Sequence, residues 1–440
     1  MNPRRILTAV AACLVTGLMA GCAGANPAPA ETSSPTAPAP AEKPSGEITF
    51  WSAIGGMDAV TEKFNSSQDD ITVKFQEIPN GANGGYAQLS AALTSNTGPD
   101  VVGIEYPQLP QFVANQQLQP LDDIVGEEVL SKYPEQVRGL VTFGDKTYGM
   151  PYDAAPLVFY YRSDVLKAAG VEVPKTWDEF RAAAEAVRKH DPKAYLVSFN
   201  PNEPAIVAAL SWKAGAKWFG TEGDSWKIGV NDETSAKVAA FWQGLVDDDL
   251  VKVQPSFSDE WTADLGSGVT VGLIGASWSA AGLKARTEGT DQAGKWIAAQ
   301  PPSRDAPSSA FYGGTSFVMT KDSKNTAAAA EFLKFLTTDP EAIKARGEVG
   351  SAYLAFPGLT EQAKSVFPVD YFANDIYSVF DESAASVVKG WQWGPNWDIT
   401  STALKDNLAA VGANGTIPAA LEKSATLTVD GLKQLGLSVK

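Results

Sequence analysis

The stretch Thr147 to Phe180 reads TYGMPYDAAPLVFYYRSDVLKAAGVEVPKTWDEF. It decides the fold, because it reads as a chain crossing between two halves of the molecule. Gly149, Pro151 and Pro156 interrupt regular structure around Tyr152 and Asp153, leaving a ring and a carboxylate on a short, stiff segment. The run Leu157 to Tyr161 is apolar and aromatic throughout, the pattern of a strand buried on both faces. After Arg162 the spacing of Val165, Leu166 and Ala169 turns helical, and Gly170 and Pro174 stop it. Thr176 and Glu179 then form a T-x-x-E capping box that opens the next helix, with Trp177 in its first turn.

This order of parts resembles the extracellular solute-binding proteins of ABC importers, in particular the group that binds sugars and oligosaccharides. In that family a segment of the form YG(M/L)P, then (L/F)YY(N/R)xDxLKxAG, then PxTWDEF leads from the first lobe into the second. Further matches extend the resemblance from Ile48 to about Trp397. It implies an α/β, two-lobed, periplasmic-binding-protein-like (type II) fold, each lobe a sheet flanked by helices, with three hinge crossings. It also implies a receptor that closes on its solute and delivers it to a membrane permease driven by an ATPase.

Length and composition agree with that picture. A chain of 440 residues is too long for one compact core, and two lobes of roughly 200 residues each fit ordinary domain sizes. The net charge of -16 disfavours nucleic acid and anionic lipid as partners, since both require fields of Lys and Arg. The single histidine, His190, sits in a charged run that reads as a solvated helix end. With Cys13 and Cys22 as the only cysteines, no His/Cys metal cluster can form, and no cofactor is expected.

Residues 1–21 read as a secretory signal, with Arg4 and Arg5 ahead of an apolar run from Ile6 to Met19 that is short for a membrane span. It ends LMAGC, which resembles a bacterial lipobox, although Met19 stands where leucine is usual and Leu18 lies one place earlier. Cys22 is therefore expected to carry a lipid anchor, placing the chain on the outer face of the cytoplasmic membrane. The Ala/Pro-rich remainder of 22–45 cannot bury a core and reads as a tether. The first lobe is expected from 46–156 and 300–350, the second from 157–299 and 351–440.

Within the first lobe, strands ending at Trp51 and after Ile104 alternate with helices, which implies a parallel sheet with ligands beyond the carboxyl ends of its strands. That rule selects Trp51, Ser52, Glu105 and Tyr106. Helices are expected at Trp177 to Arg188, Pro204 to Lys213 and Thr234 to Val246. Asn200 follows a strand-like run, and Trp261 to Trp278 reads as helix, turn and strand ending on a tryptophan. A second crossing is expected near Pro301 to Pro307, leading to Gly313 and Gly314, where the family's glycines approach the ligand. A third is expected near Gly347 to Phe356. The last segment carries Trp391 and Trp393 in a glycine- and proline-broken loop.

A pyranose has a face of C–H groups that packs on an indole and a rim of hydroxyls that seek carboxylates and amides. Trp51, Trp261, Trp278, Trp391 and Trp393, with Tyr152, Asp153, Glu105 and Asn200, supply that mixture. The expected partners are a sugar or small oligosaccharide and an ABC permease, and the receptor is expected to be a monomer. Paired acids such as Glu105 with Asp153, or Asp259 with Glu260, leave open a glycoside hydrolase. A binding protein for a non-sugar solute such as a peptide is a second rival, and a purely structural surface lipoprotein, which would have no use for hinge crossings, is a third.

Overall fold

Apolar residues two apart begin the folded body, as at Ile48 and Phe50, and helix-spaced apolar residues follow at Met57, Val60 and Phe64. The computed structural model describes residues 43–81, 84–350 and 353–440. The signal-like segment, Cys22 and most of the tether lie outside the described residues. The principal strands, in chain order, are β1 (Gly46–Ser52), β2 (Ile71–Glu77), β3 (Val101–Glu105), β4 (Met150–Pro151) and β5 (Leu157–Arg162). They are followed by β6 (Ser198–Phe199), β7 (Lys252–Val253), β8 (Gly272–Ala276), β9 (Trp296–Ala299) and β10 (Thr315–Met319).

The first lobe is built on a five-stranded sheet of order β2-β1-β3-β10-β4. β1, β2 and β3 are parallel, as their intervening helices require, but β10 runs antiparallel to both β3 and β4. The sheet is therefore mixed where an all-parallel one was expected. β10 re-enters from the other lobe at the carboxyl edge of β3, with Thr315 opposite Glu105, and so must run the opposite way. Under this sheet Phe50 meets Phe317 edge-on at 5.5 Å and Phe332 at 5.1 Å. Burial of side chains of this size contributes about 1.5–3 kcal/mol each.

In the second lobe every residue of β5 is buried, and the strand lies between β8 and β9, antiparallel to both. Phe159 packs on Phe180 from one helix and Tyr160 near Phe372 from another segment. Both faces are thus covered, which is why the strand shows no polar alternation. The helix Trp177–His190 opens on the expected capping box: the Glu179 N–H donates to the Thr176 hydroxyl at 3.1 Å, and the Thr176 N–H donates to the Glu179 carboxylate at 3.1 Å. Such a cap stabilises by about 1 kcal/mol. β6 and β7 form a separate parallel pair whose ends point the same way.

Three segments join the lobes and are bonded to one another. The Ala154 N–H donates to Tyr353 O (2.8 Å) and the Ala355 N–H to Tyr152 O (3.0 Å). On the other side the Leu157 N–H donates to Ala310 O (2.9 Å) and the Tyr312 N–H to Ala155 O (2.9 Å). The second crossing lies later than Pro301 to Pro307. Ser303 is still bonded to Lys175, and Val388 still donates to Ser309, both within second-lobe surroundings. Residues 152–156 are the middle strand of this hinge.

Candidate functional site

The carboxyl ends of β1 and β3, the start of β10 and the hinge meet at one edge of the first lobe. Trp51 is half-buried there, and Ser52 is fully buried, its Oγ accepting the Ile54 N–H at 3.1 Å. The Glu105 carboxylate accepts the Tyr86 hydroxyl at 2.9 Å, and the same hydroxyl accepts the Glu105 N–H at 3.0 Å. Asp153 accepts the Thr315 N–H at 2.7 Å, which ties the middle hinge segment to β10.

Tyr106 and Tyr152 face inward and act as supports. Tyr106 is fully buried and donates to Asp153 O at 2.7 Å. Tyr152 lies against Phe317 at 5.2 Å and accepts from the Arg346 guanidinium at 2.9 Å. Gly314, at φ +96°, leaves no room for a side chain: a Cβ would stand 2.6 Å from the Tyr106 ring. The space reserved by this glycine therefore belongs to Tyr106, while Gly313 faces the Trp278 indole, 3.5 Å from where its Cβ would lie.

The second lobe supplies the opposite wall. Asn200 follows β6 and donates to Gln254 O at 2.9 Å, joining the ends of the β6 and β7 pair. Glu203 accepts the Ser256 hydroxyl at 3.1 Å and the Tyr312 hydroxyl at 3.0 Å. Trp278, just past β8, donates its indole N–H to Tyr312 O at 2.9 Å, and the two rings stand 5.2 Å apart. Asn200, Trp261 and Trp278 line one cavity of about 220 Å³ together with Tyr312 from the hinge. Tyr312 and Glu203 were not selected from the sequence as ligand residues; the only signal was their adjacency to Gly313 and to the Asn200 turn.

Trp391 and Trp393 lie elsewhere. Trp391 stacks on Trp212 at 5.1 Å with planes 5° apart, and Trp393 meets Trp397 edge-on at 4.9 Å. Both are buried, and neither lines the cavity. The cluster reaches the hinge through Trp212, whose ring meets Phe311 at 5.7 Å. Asp259 and Glu260 are exposed in the first turn of the helix Asp259–Ser267, with Glu260 paired to Lys252 at 2.9 Å, so they form no enclosed acid pair.

Burial dominates the electrostatics. It pushes Asp153 up to about 6, against the opposing pull of the Thr315 N–H and Arg346. Burial also raises Glu105 and Glu203, and the charges of Asp153 and Glu203 raise Glu105 further. Three acids from the two lobes and the hinge thus sense a common, poorly hydrated space. The lobes also touch directly: Gln108 donates to the Asp398 carboxylate at 2.8 Å.

Residues 52–343 match the family described as bacterial extracellular solute-binding protein. The chain is similar to the arabinooligosaccharide-binding protein of Bacillus subtilis (strain 168), with 26% identity over 324 residues, 69% of this chain and 73% of that protein. In structure it is similar to the galacto-N-biose-/lacto-N-biose I-binding protein of an ABC transporter from Bifidobacterium longum, solved with lacto-N-biose. That likeness has a TM-score of 0.79 at 24% identity and covers 91% of this chain and 100% of that one. A binding protein associated with an ABC transporter of B. animalis subsp. lactis Bl-04, solved with beta-1,6-galactobiose, is similar at a TM-score of 0.78 and 24% identity, over 90% and 100% of the two chains.

Proposed function

This chain belongs to the bacterial extracellular solute-binding protein family, and we propose that it captures a sugar or small oligosaccharide between its lobes for an ABC importer. The observation that carries this reading is the meeting of Trp278 and Tyr312, ring beside ring, with the carboxylates of Glu203, Glu105 and Asp153 around the same hinge. The rings offer an apolar platform to the C–H face of a pyranose, and the carboxylates accept its hydroxyls in charge-assisted bonds. The names of the similar proteins, which bind arabinooligosaccharide, lacto-N-biose and galactobiose, point to the same class of ligand.

Binding proceeds without catalysis in this reading. The acids are engaged by Tyr86, Thr315, Ser256 and Tyr312, which supports a role as positioned acceptors for hydroxyls. The receptor acts outside the cytoplasmic membrane as a monomer, held by a lipid on Cys22, and docks its closed form on permease subunits. The two lobes move about the three crossings, the second of which lies at Ala310 to Tyr312 beside the Ala155 to Leu157 segment.

The test is to incubate the full chain with a panel of mono- and oligosaccharides, separate bound from free, and chromatograph the recovered ligand. Ligand bound and returned intact is expected. Cleaved ligand would establish a hydrolase, and a peptide bound in place of any sugar would move the protein to another solute class. Cys22→Ala is expected to release the protein into the medium; retention at the membrane would contradict the anchor.

A further inference from the structure

The cavity behind Trp278 contains a cation without a counterion among the described residues. Arg286, at the end of the helix Ser279–Arg286, is half-buried and lines it. Its guanidinium carbon lies 5.2 Å from the Phe257 ring centroid and 5.1 Å from that of Trp261. No hydrogen bond or ion pair joins its guanidinium to another described residue. Arg138, Arg162, Arg181, Arg188 and Arg304 by contrast each face a carboxylate, and Arg346 bonds to Gly55 and Tyr152. No acidic residue lines this cavity, and Glu203 next to it has its two oxygens on Ser256 and Tyr312.

Two neighbouring features fit an absent acceptor. Trp261 is 3% exposed, and its indole N–H is buried without a hydrogen-bond partner. Phe257, on the loop that covers Arg286, is held at φ +60°, a conformation costly for an aromatic residue, and remains 51% exposed while lining the cavity. A guanidinium stripped of part of its water and an unpaired indole N–H each cost stability unless something accepts from them. A planar two-oxygen anion suits the guanidinium fork.

We infer that this cavity is a subsite for an acidic group of the ligand, a carboxylate or sulfate on a sugar ring, held by the Arg286 guanidinium and the Trp261 indole N–H. The inference rests on the reading of the Trp278 and Tyr312 cleft as a sugar site and specifies it: the rings and acids take the hydroxylated part of the ligand, and Arg286 takes its charge. The anion is held by Arg286 and Trp261, while the neighbouring Glu203 carboxylate stays engaged by the Ser256 and Tyr312 hydroxyls.

The experiment is an array of neutral oligosaccharides, their uronate-containing counterparts and their O-sulfated counterparts, probed with the full chain and with Arg286→Met and Arg286→Lys variants checked for folding by circular dichroism. The wild-type chain is expected to hold an acidic member at least tenfold more tightly than the neutral member of the same skeleton. The Met variant is expected to lose that preference while keeping neutral binding, and the Lys variant to keep part of it. The uronate and sulfate arms tell which anion is preferred. Neutral binding with no acidic preference, or a preference that survives Arg286→Met, would overturn the subsite and leave the sugar reading standing. Absence of binding to any member would overturn both.

Discussion

Trp278 is the residue on which the most depends. It lies two residues past β8, touches the hinge through Tyr312 O, and offers its ring at the cavity. Its place was legible in the sequence because a strand ending in a tryptophan after a glycine-rich turn leaves the ring at the sheet's edge. Trp278→Ala is expected to weaken sugar binding by about 1 kcal/mol or more, read by calorimetric titration. Unchanged affinity would remove it from the site. Tyr312 and Glu203 were not legible in the same way, because their meeting depends on a hinge strand and a loop more than a hundred positions apart.

Asp153 carries a second prediction at this scale. Its carboxyl is protonated more readily in the folded chain than in the unfolded one, so the folded state binds the extra proton between about pH 4 and 6. The group's contribution to stability is complete below the ordinary aspartate range and is lost as pH rises through about 6. Asp153→Asn can still accept the Thr315 N–H but has no charge to bury. Its stability relative to wild type is therefore expected to be on the order of 2–3 kcal/mol better at pH 7.5 than at pH 4, measured by urea unfolding. A difference that does not change with pH would show that Asp153 titrates as an ordinary surface carboxylate.

Among the elements, those whose signals are local were legible. The capping box at Thr176, the unbroken burial of β5 and the helix Pro204–Lys213 follow from spacing within a few residues. The direction of β10 was not, because it depends on where the chain re-enters the first sheet. From sequence, the glycine- and proline-broken loop of Trp391 and Trp393 is expected to face the ligand. In the fold those breaks let the rings turn inward, and a Cβ on Gly394 would stand 2.4 Å from the Phe219 ring. Trp393→Ala is accordingly expected to cost about 3–5 kcal/mol of folding stability, measured by chemical denaturation. Full stability with lost sugar binding would instead place this ring at the ligand.

At the scale of the whole molecule, the first crossing was legible because Gly149, Pro151 and Pro156 interrupt regular structure around Tyr152 and Asp153. The second lies later than its expected place because nothing local marks where the chain leaves its bonds to Lys175 and Val388. The closeness of the lobes was not legible either, since it rests on pairs such as Gln108 with Asp398, 290 positions apart. This bond spans the first and second lobes and favours the closed arrangement. Asp398→Ala is expected to open that balance by about 1 kcal/mol, raising the ligand's dissociation rate about fivefold with little change in stability. Stopped-flow release measures it, and an unchanged rate would assign the bond no part in closure.

The central claim is capture of a sugar between the lobes, and the most direct measurement is intrinsic tryptophan fluorescence of the full chain titrated with neutral and acidic oligosaccharides beside the Trp278→Ala variant. The account predicts a saturable change for at least one sugar, strongly reduced in the variant because the reporting ring is the one at the hinge. A wild-type signal that stays flat across the whole panel, while the chain remains folded, would contradict it.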